Sequence, residues 1–311
     1  MTVVAAIDCG TNAIRLLIAD VDSGGSARPL LRLMRIVRLG EGVDATGEFS
    51  PEAIQRTMLA VDEYAGHLRA AGVQRVRFVA TSASRDVQDP SPLIEGVYER
   101  LGVTAEVISA AEEARLSFTG AVEGLPKNVL PKTPVVVDIG GGSTEFVTTV
   151  SDALRSVSID VGCVRLAERH LAGDTATVEQ IAAIRADVRA LMPRVIEPLP
   201  QARQSTIIGV AGTVTTVVAM SLGLDSYDEA LIHGARISNA QAQAVAEALT
   251  AMSRAERAAL PFMHPGRVDV ITAGAWVLVE AMQGLGAEAV IAAETDILDG
   301  IVGELDPSRP T

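Results

Sequence analysis

One segment of this chain occurs twice. Residues 5–21, AAIDCGTNAIRLLIADV, lie over residues 135–150, VVVDIGGGSTEFVTTV, with Asp8 on Asp138, Gly10 on Gly140 and the apolar residues after each turn in step. Each copy reads as a strand, a tight turn and a second strand. The β-branched run before Asp138 marks a strand covered on both faces, and the glycines let the backbone turn where a Cβ would obstruct it. A repeated module of this kind predicts two copies of one structural unit. A chain of 311 residues is long enough for each copy to bury a core of its own. If each copy opens a domain, both Asp-Gly turns face one cleft between the domains, where α/β proteins take their ligands. The boundary is expected in EGLPKNVLPKTP (123–134), giving domains of 1–126 and 127–295, and the last helix, about 296–311, is free to pack back on the first domain.

Short apolar runs alternate with helical patterns along the whole chain, the signature of an α/β fold. Strands are predicted at 3–8, 14–21, 75–81, 105–109, 135–139, 145–150, 205–210 and 288–292. Helices are predicted at 50–72, from Ser109 to about Glu123, and at 177–199, 213–221, 239–250, 254–260, 268–284 and near 296–304. Ser50 reads as the N-cap of the first of these, with Pro51 in its first turn and Gly72 as its stop.

The turn after Asp138 points to chemistry. N–H groups at a glycine-rich turn form an anion-binding concavity, and a carboxylate beside it can hold the divalent cation of a bound phosphate. A plain hairpin with an incidental Asp is the other reading, although a hairpin rarely needs three glycines. A third glycine turn, GVAGTVTT (209–216), follows a strand and opens a helix, so Gly212 and Thr213 are placed where the helix dipole attracts phosphate. Gly141, Gly142 and Ser143 are the corresponding donors in the second copy of the repeat. Ser109 and Glu112 fit the capping pattern S-x-x-E, which gives Glu112 a structural task and leaves Glu113 free.

Composition removes several alternatives. A net charge of −13 lacks the field that broad nucleic-acid binding needs, so no nucleic-acid partner is expected. Of the 26 basic residues only Lys127 and Lys132 are lysines, so a phosphate clamp has to be arginine, whose planar fork grips phosphate bidentately. The start, MTVVAAIDCG, lacks a basic leader, and the apolar stretch 268–293 is broken by Asp269, Glu280 and Glu288. No membrane partner and a cytoplasmic location are therefore expected. Cys9 and Cys163 are too few and too distant for a disulfide framework or zinc site, and His67, His170, His233 and His264 have no ligand spacing.

The stretches IDCGTNAIRLLIAD (7–20), ATSASRD (80–86), VISAAEEARL (107–116), VDIGGGSTEF (137–146) and GVAGTVTT (209–216) resemble, in order and spacing, the exopolyphosphatase and guanosine pentaphosphate phosphohydrolase family of the actin/sugar-kinase/Hsp70 superfamily. The similarity covers nearly the whole chain, and VDIGGGSTE and EEARL are its most specific parts. The resemblance implies an α/β fold of two ribonuclease H-like domains around an interdomain cleft. It also implies a phosphoanhydride hydrolase that releases terminal orthophosphate from inorganic polyphosphate or from guanosine pentaphosphate. Further implications are Mg²⁺ or Mn²⁺ as cofactor, a monovalent cation such as K⁺ left open, and a homodimer. A kinase of the same superfamily and an actin-like assembly protein are the competing classes.

Carried onto this sequence, the resemblance makes Glu113 the general base and Arg85 the clamp on the reacting phosphate. It puts Asn12 near the terminal phosphate, Asp138 and Asp8 at the metal, and Glu145 either at the metal or behind it, against the alternative of a solvent-facing strand residue. Arg165 and Arg267 would line the path of a longer anion or form structural pairs. Two positions depart from the family pattern, Ala110 before the glutamate pair and Asp299 before Gly300, and these departures put substrate preference in question.

Overall fold

A computed structural model describes residues 2–22, 26–151, 153–203 and 206–306. The chain forms two units, one of residues up to Gly120 with those from Ile297 onward, the other Ala121–Asp296. The expected boundary run 123–134 lies at the start of the second unit.

In the first unit β1 (Thr2–Cys9), β2 (Ala13–Val21) and β3 (Ala27–Ile36) form an antiparallel meander, followed by α1 (Val43–Thr46) and α2 (Pro51–Ala70). Then come β4 (Arg75–Ala80), α3 (Ser82–Asp86), α4 (Ser91–Leu101), β5 (Ala105–Val107) and α5 (Ala110–Gly124). The sheet order is β3-β2-β1-β4-β5, with β4 and β5 parallel to β1. The second unit repeats this plan. β6 (Val135–Ile139), β7 (Thr144–Val150) and β8 (Ala153–Ile159) form the meander, and α6 (Cys163–His170) and α7 (Val178–Ile196) follow. β9 (Thr206–Val210), α8 (Ala211–Leu222), α9 (Glu229–Ile232), β10 (Arg236–Ser238), α10 (Asn239–Ala251), α11 (Arg254–Ala258), α12 (Ile271–Leu285) and β11 (Ala289–Ala292) complete it. The order is β10-β11-β9-β6-β7-β8, with β9 and β11 parallel to β6. The last helix, α13 (Ile297–Glu304), belongs to the first unit.

The repeat survives in atomic detail. Gly10 N donates to Ala13 O and Gly140 N donates to Ser143 O, both at 3.0 Å, so the two turns close with the same hydrogen bond. Period-2 alternation then sorts each strand. Ala5, Ile7 and Cys9 of β1 pack with Val61, Tyr64 and Leu68 of α2, whereas Val4 and Ala6 pack with Ile301 and Val302 of α13. Val135, Val137 and Ile139 of β6 enter the core under α7, α8 and α12. Asp8 therefore shares the sheet face of Val4 and Ala6, Asp138 faces away from Val135, Val137 and Ile139, and both acids lie near the carboxyl ends of their strands.

Several elements were not legible. β3 has no buried residue and β8 only Ile159, because each is an edge strand that carries little of the apolar alternation that betrays a strand. Residues 265–267 form a 3₁₀ turn in which His264 Nδ1 accepts from Gly266 N at 3.1 Å, so the helix expected from 268 begins at Ile271. α2 is as read: Ser50 Oγ accepts from Ala53 N, and Pro51 opens the helix.

One buried charge fastens the long helices of the second unit. Glu280 of α12 is 1% exposed. It takes Arg185 Nε at 2.6 Å and Arg189 through Nε at 2.5 Å and Nη2 at 2.9 Å, both from α7. The Arg185 guanidinium also lies 4.5 Å from the centre of the Trp276 ring. Replacing both arginines with alanine leaves a carboxylate in the core without its counter-charges. The expected loss in urea unfolding is about 3 kcal/mol; a loss too small to measure would show that α7 is held by apolar contacts alone.

Candidate active site

In the first unit three segments meet around Arg85. β4 ends at Ala80, and α3 starts so soon after it that Arg85 lies in the helix's last turn. β5 runs beside β4, and Ile108 N donates to Ala80 O. The head of α5 follows directly. Arg85 Nη1 donates to Ile108 O at 3.2 Å and to Glu113 Oε2 at 2.6 Å. The two residues assigned to base and clamp are thus an ion pair. Glu113 is not free, contrary to the expectation, although the reasoning about Glu112 holds in part. Ser109 Oγ accepts from Glu112 N at 3.2 Å, and the Glu112 carboxylate goes to Arg77 Nη2 at 2.6 Å. Arg77 also binds Glu106 and Glu304, so Glu112 belongs to a structural network.

Asp8 is buried and faces Arg15 across the β1–β2 pair. Arg15 donates through Nη2 at 2.6 Å and Nε at 3.0 Å to Asp8 Oδ2. The expected metal role of Asp8 therefore meets a competitor already in place. Asn12 O accepts from Val37 N and Arg38 N, which ties the first turn to the segment after β3.

The second unit presents the opposite electrostatics at the equivalent turn. Asp138 lies directly opposite Glu145 in the β6–β7 register, and both are buried. Glu145 is 1% exposed, which rules out the solvent-facing reading. Its Oε1 accepts from Ser143 Oγ at 2.7 Å and from Ser158 Oγ at 2.8 Å. The Ser143 hydroxyl has a single hydrogen, and that hydrogen goes to Glu145. Ser143, expected as a phosphate donor, has its hydroxyl engaged by Glu145.

The loop between the two strands is anchored by its carbonyls. Cys163 N donates to Gly140 O, Val164 N and Arg165 N both donate to Gly141 O, and Arg165 Nε donates to Gly142 O at 2.8 Å. Arg165, read as lining an anion path or as a structural pair, braces the loop. Gly162 was missed. A Cβ there would sit 2.4 Å from the carbonyl carbon and oxygen of Gly141 and 2.6 Å from Gly142 N, so only glycine lets α6 approach the loop this closely.

The third turn opens α8. Ala211 adopts φ 69°, a left-handed conformation costly for a residue with a Cβ. A Cβ on Gly212 would meet the Arg267 guanidinium at 2.1 Å, so Arg267 lies directly on this turn. Arg267 Nη1 donates to Thr216 Oγ1 at 3.2 Å, and Thr216 Oγ1 donates to Gly212 O at 2.6 Å. Thr213, expected as a phosphate donor, is buried, with its hydroxyl bonded to the Cys163 thiol. Burial raises the Cys163 thiol above its ordinary range, and that bond works in the opposite direction. Burial likewise pushes the Cys9 thiol up.

Glu294, just beyond the carboxyl end of β11, was also missed. The argument applied to Asp138, a carboxylate directly after a buried strand, would have found it. Tyr227 OH lies 2.7 Å from Glu294 Oε1 and 2.7 Å from Thr215 Oγ1. His233 Nδ1 accepts from Glu294 N at 3.2 Å, and the other ring nitrogen lies 3.1 Å from Gly124 O. Burial pushes the Glu294 carboxyl up to about 7, the hydrogen bond from Tyr227 opposes this, and Glu229 and Asp296 add to it.

Each unit thus carries the ribonuclease H-like strand plan with an acid–glycine turn after its first strand. Residues 17–308 match the Ppx/GppA phosphatase family, and the chain belongs to that family. Exopolyphosphatase 2 of Mycobacterium tuberculosis is 46% identical over 313 residues, 97% of this chain and 98% of that protein. The crystal structure of an exopolyphosphatase-like protein is 39% identical with a TM-score of 0.92 and covers 98% of each chain. A Ppx/GppA family member of Aquifex aeolicus is 26% identical with a TM-score of 0.81, over 100% of this chain and 99% of that one.

Two outcomes follow from the geometry. Gly162→Ala is expected to cost about 1–3 kcal/mol through overpacking against Gly141, measured by urea unfolding; an unchanged midpoint would mean that the loop yields freely. For Glu294 the folded state binds the proton more tightly than the unfolded chain, whose carboxyl has its ordinary value of 4.5. Stability is therefore fully present below 4.5 and falls as pH rises toward about 7. Glu294→Gln should equal the wild type at pH 4.5 and exceed it at pH 8 by about 1–2 kcal/mol, and thermal unfolding across that range checks the crossover.

Proposed function

We propose that this protein hydrolyses the terminal phosphoanhydride bond of inorganic polyphosphate and releases orthophosphate. The observation that carries the reaction type is the Arg85–Glu113 ion pair at the head of α5. It sets a carboxylate that can take a proton from water beside a guanidinium that can offset charge on a phosphoryl group. Choice of substrate rests on the likeness to the Mycobacterium tuberculosis exopolyphosphatase over nearly its whole length. Guanosine pentaphosphate is the alternative substrate, as the family resemblance implies.

The second unit is read as the part that binds phosphate. Main-chain N–H groups of Gly141, Gly142 and Gly212 are the proposed donors, with Arg267 alongside Gly212. Mg²⁺, or Mn²⁺ in its place, fits the donor set at Asp138. Two like charges buried directly opposite one another on neighbouring strands are unfavourable unless a cation offsets them. Asp138 would hold the ion, and Glu145, fixed by two serine hydroxyls, would support it from behind. Mg²⁺ commonly takes only one or two carboxylates and fills the rest of its shell with water and phosphate oxygens. The absence of any group of three potential ligands among the described residues is compatible with that coordination. When bound, the ion would offset charge on the phosphates. Asp8, already paired with Arg15, is the weaker metal candidate. A monovalent cation such as K⁺ and a homodimer complete the reading and come from the family resemblance, and a cytoplasmic location is kept from the sequence reading. Among the described residues no helix is long and apolar enough to cross a membrane.

The test is orthophosphate release from polyphosphate and from guanosine pentaphosphate by wild type and Glu113→Gln. The glutamine keeps an acceptor for Arg85 and removes the base. A loss of roughly 10²–10⁴-fold in kcat is expected, with polyphosphate binding retained. A variant that kept more than about a tenth of wild-type turnover would not fit a general base at Glu113.

A further inference from the structure

We infer that the second unit carries another anion site, distinct from its glycine turns and fitted to a short oligophosphate. A cavity of about 680 Å³ lies where the segment before β6 passes β9, β10 and β11. That volume is in the range of small-molecule sites. Its polar lining is one-sided in charge. Lys132 and Arg236 contribute two cations, Asn128, Thr133 and Thr206 contribute hydrogen-bonding groups, and no carboxylate is among the lining residues. In a chain of 39 acidic residues and net charge −13, this lining carries two cations and no acid.

The two cations are also available. Most arginines of this protein are tied to carboxylates or main-chain carbonyls, as Arg15, Arg32, Arg77, Arg85, Arg165 and Arg189 show. Lys132 and Arg236 are exposed, and neither makes an ion pair with a described residue. A floor of Val129 and Ile291 lowers the local dielectric beneath them and strengthens their field. Arg236 is held in place because it lies opposite Ile291 in the β10–β11 pair, and Gly234 N donates to Ala292 O just before it.

Position separates this cavity from the glycine turns. Thr206 is the first residue of β9, and Val210, its last, leads into the α8 turn. Four residues of strand put the cavity about 13 Å from that turn, at the other end of the strand. Thr133 likewise precedes β6, whose far end carries Asp138. A multiply charged phosphate oxyanion is the ligand class this lining selects. Two cations with neighbouring hydroxyl and amide donors suit two or more phosphate groups better than one. The inference concerns binding alone and stands or falls independently of the reaction proposed for Glu113.

The experiment is calorimetric titration with inorganic triphosphate in EDTA, with orthophosphate as a second arm, on three folded proteins. These are the wild type, Lys132→Ala with Arg236→Ala, and Arg69→Ala with Arg194→Ala. The last pair removes the same charge from exposed positions elsewhere that make no ion pair with a described residue. Expected is a tenfold or greater loss of triphosphate affinity, or one class of sites fewer, in the Lys132–Arg236 variant. The control should change by less than about twofold, and orthophosphate should bind more weakly than triphosphate throughout. Unfolding midpoints of all three proteins should agree, since the altered side chains are exposed. Equal titration of wild type and the Lys132–Arg236 variant would overturn the inference. An equal loss in the control, which would indicate bulk charge, would do so too, as would a wild type that takes up no triphosphate.

Discussion

The hydrogen bond from Gly140 N to Ser143 O sets the register of β6 against β7, and register decides which side chains meet. A slip of one residue would turn every side chain of a strand to the other face of its sheet. In the observed register Val137 meets Phe146 in the core, and Asp138 meets Glu145 on the other face. The twin bond from Gly10 N to Ala13 O does the same in the first unit, where Asp8 meets Arg15. One turn geometry thus has two electrostatic results. The first copy neutralises its acid internally, with an arginine on the neighbouring strand. The second copy opposes acid to acid, two serine hydroxyls bond Glu145, and the proposed reading adds a divalent cation. The duplication is visible in the backbone, while the difference in chemistry lies in residues 15 and 145.

The rest of the second turn follows from how its main chain is held. A glycine turn exposes polar groups on both sides of the backbone, and a buried polar group needs a partner. Here the carbonyls of Gly140, Gly141 and Gly142 are taken by the first residues of α6 and by the Arg165 side chain. That fixation depends on Gly162, which lets α6 come close enough to bond the loop. The loop is therefore rigid before any ligand arrives, and rigid donors lose little entropy on binding. The inward-facing hydroxyls of Ser143 and Thr213 belong to the same design, since both serve to position the turns.

The fold was legible in most elements with a buried face and a capped end, although α4, with Leu93 and Val97 buried and Gly102 as its C-cap, was not read. The duplicated strand–turn–strand, α2 with its Ser50 cap and the long α7 and α12 all announced themselves through periodicity and end signals. β3 and β8 did not, because edge strands owe their existence to a neighbour's free hydrogen-bonding groups. For the site, sequence located the residues better than their states. Asp138 and Glu145 flank the second glycine turn, Glu113 lies in the first turn of α5, and Arg85 lies in the last turn of α3. Sequence did not reveal that Glu113 and Arg85 are paired, that Asp8 is held by Arg15, or that the Ser143 hydroxyl is spent on Glu145. Each of these depends on residues brought together by sheet order, such as Ser158 beside Glu145 across β7 and β8. Asp299 is similar. Its place before Gly300 looked like the loss of an arginine, whereas in the fold it accepts Arg32 of β3 at 2.8 Å on both oxygens and helps fasten α13 to the sheet.

The Arg85–Glu113 pair carries a constraint on mechanism that neither residue shows alone. On the proposed reading Arg85 must reach a phosphoryl oxygen while Glu113 must reach a water, yet at rest the two groups satisfy each other. A phosphate oxygen is an acceptor of the same kind as a carboxylate, and a guanidinium has donors enough for both. Arg85 also donates to Ile108 O, which keeps its position when one acceptor is exchanged for another. Arrival of the anion can therefore draw on Arg85 without displacing it from α3, and the carboxylate that loses part of its counter-charge becomes a better acceptor for a proton. Activation of the base is coupled in this way to the presence of the phosphate. An isolated glutamate at the same place would be equally ready for water with or without substrate.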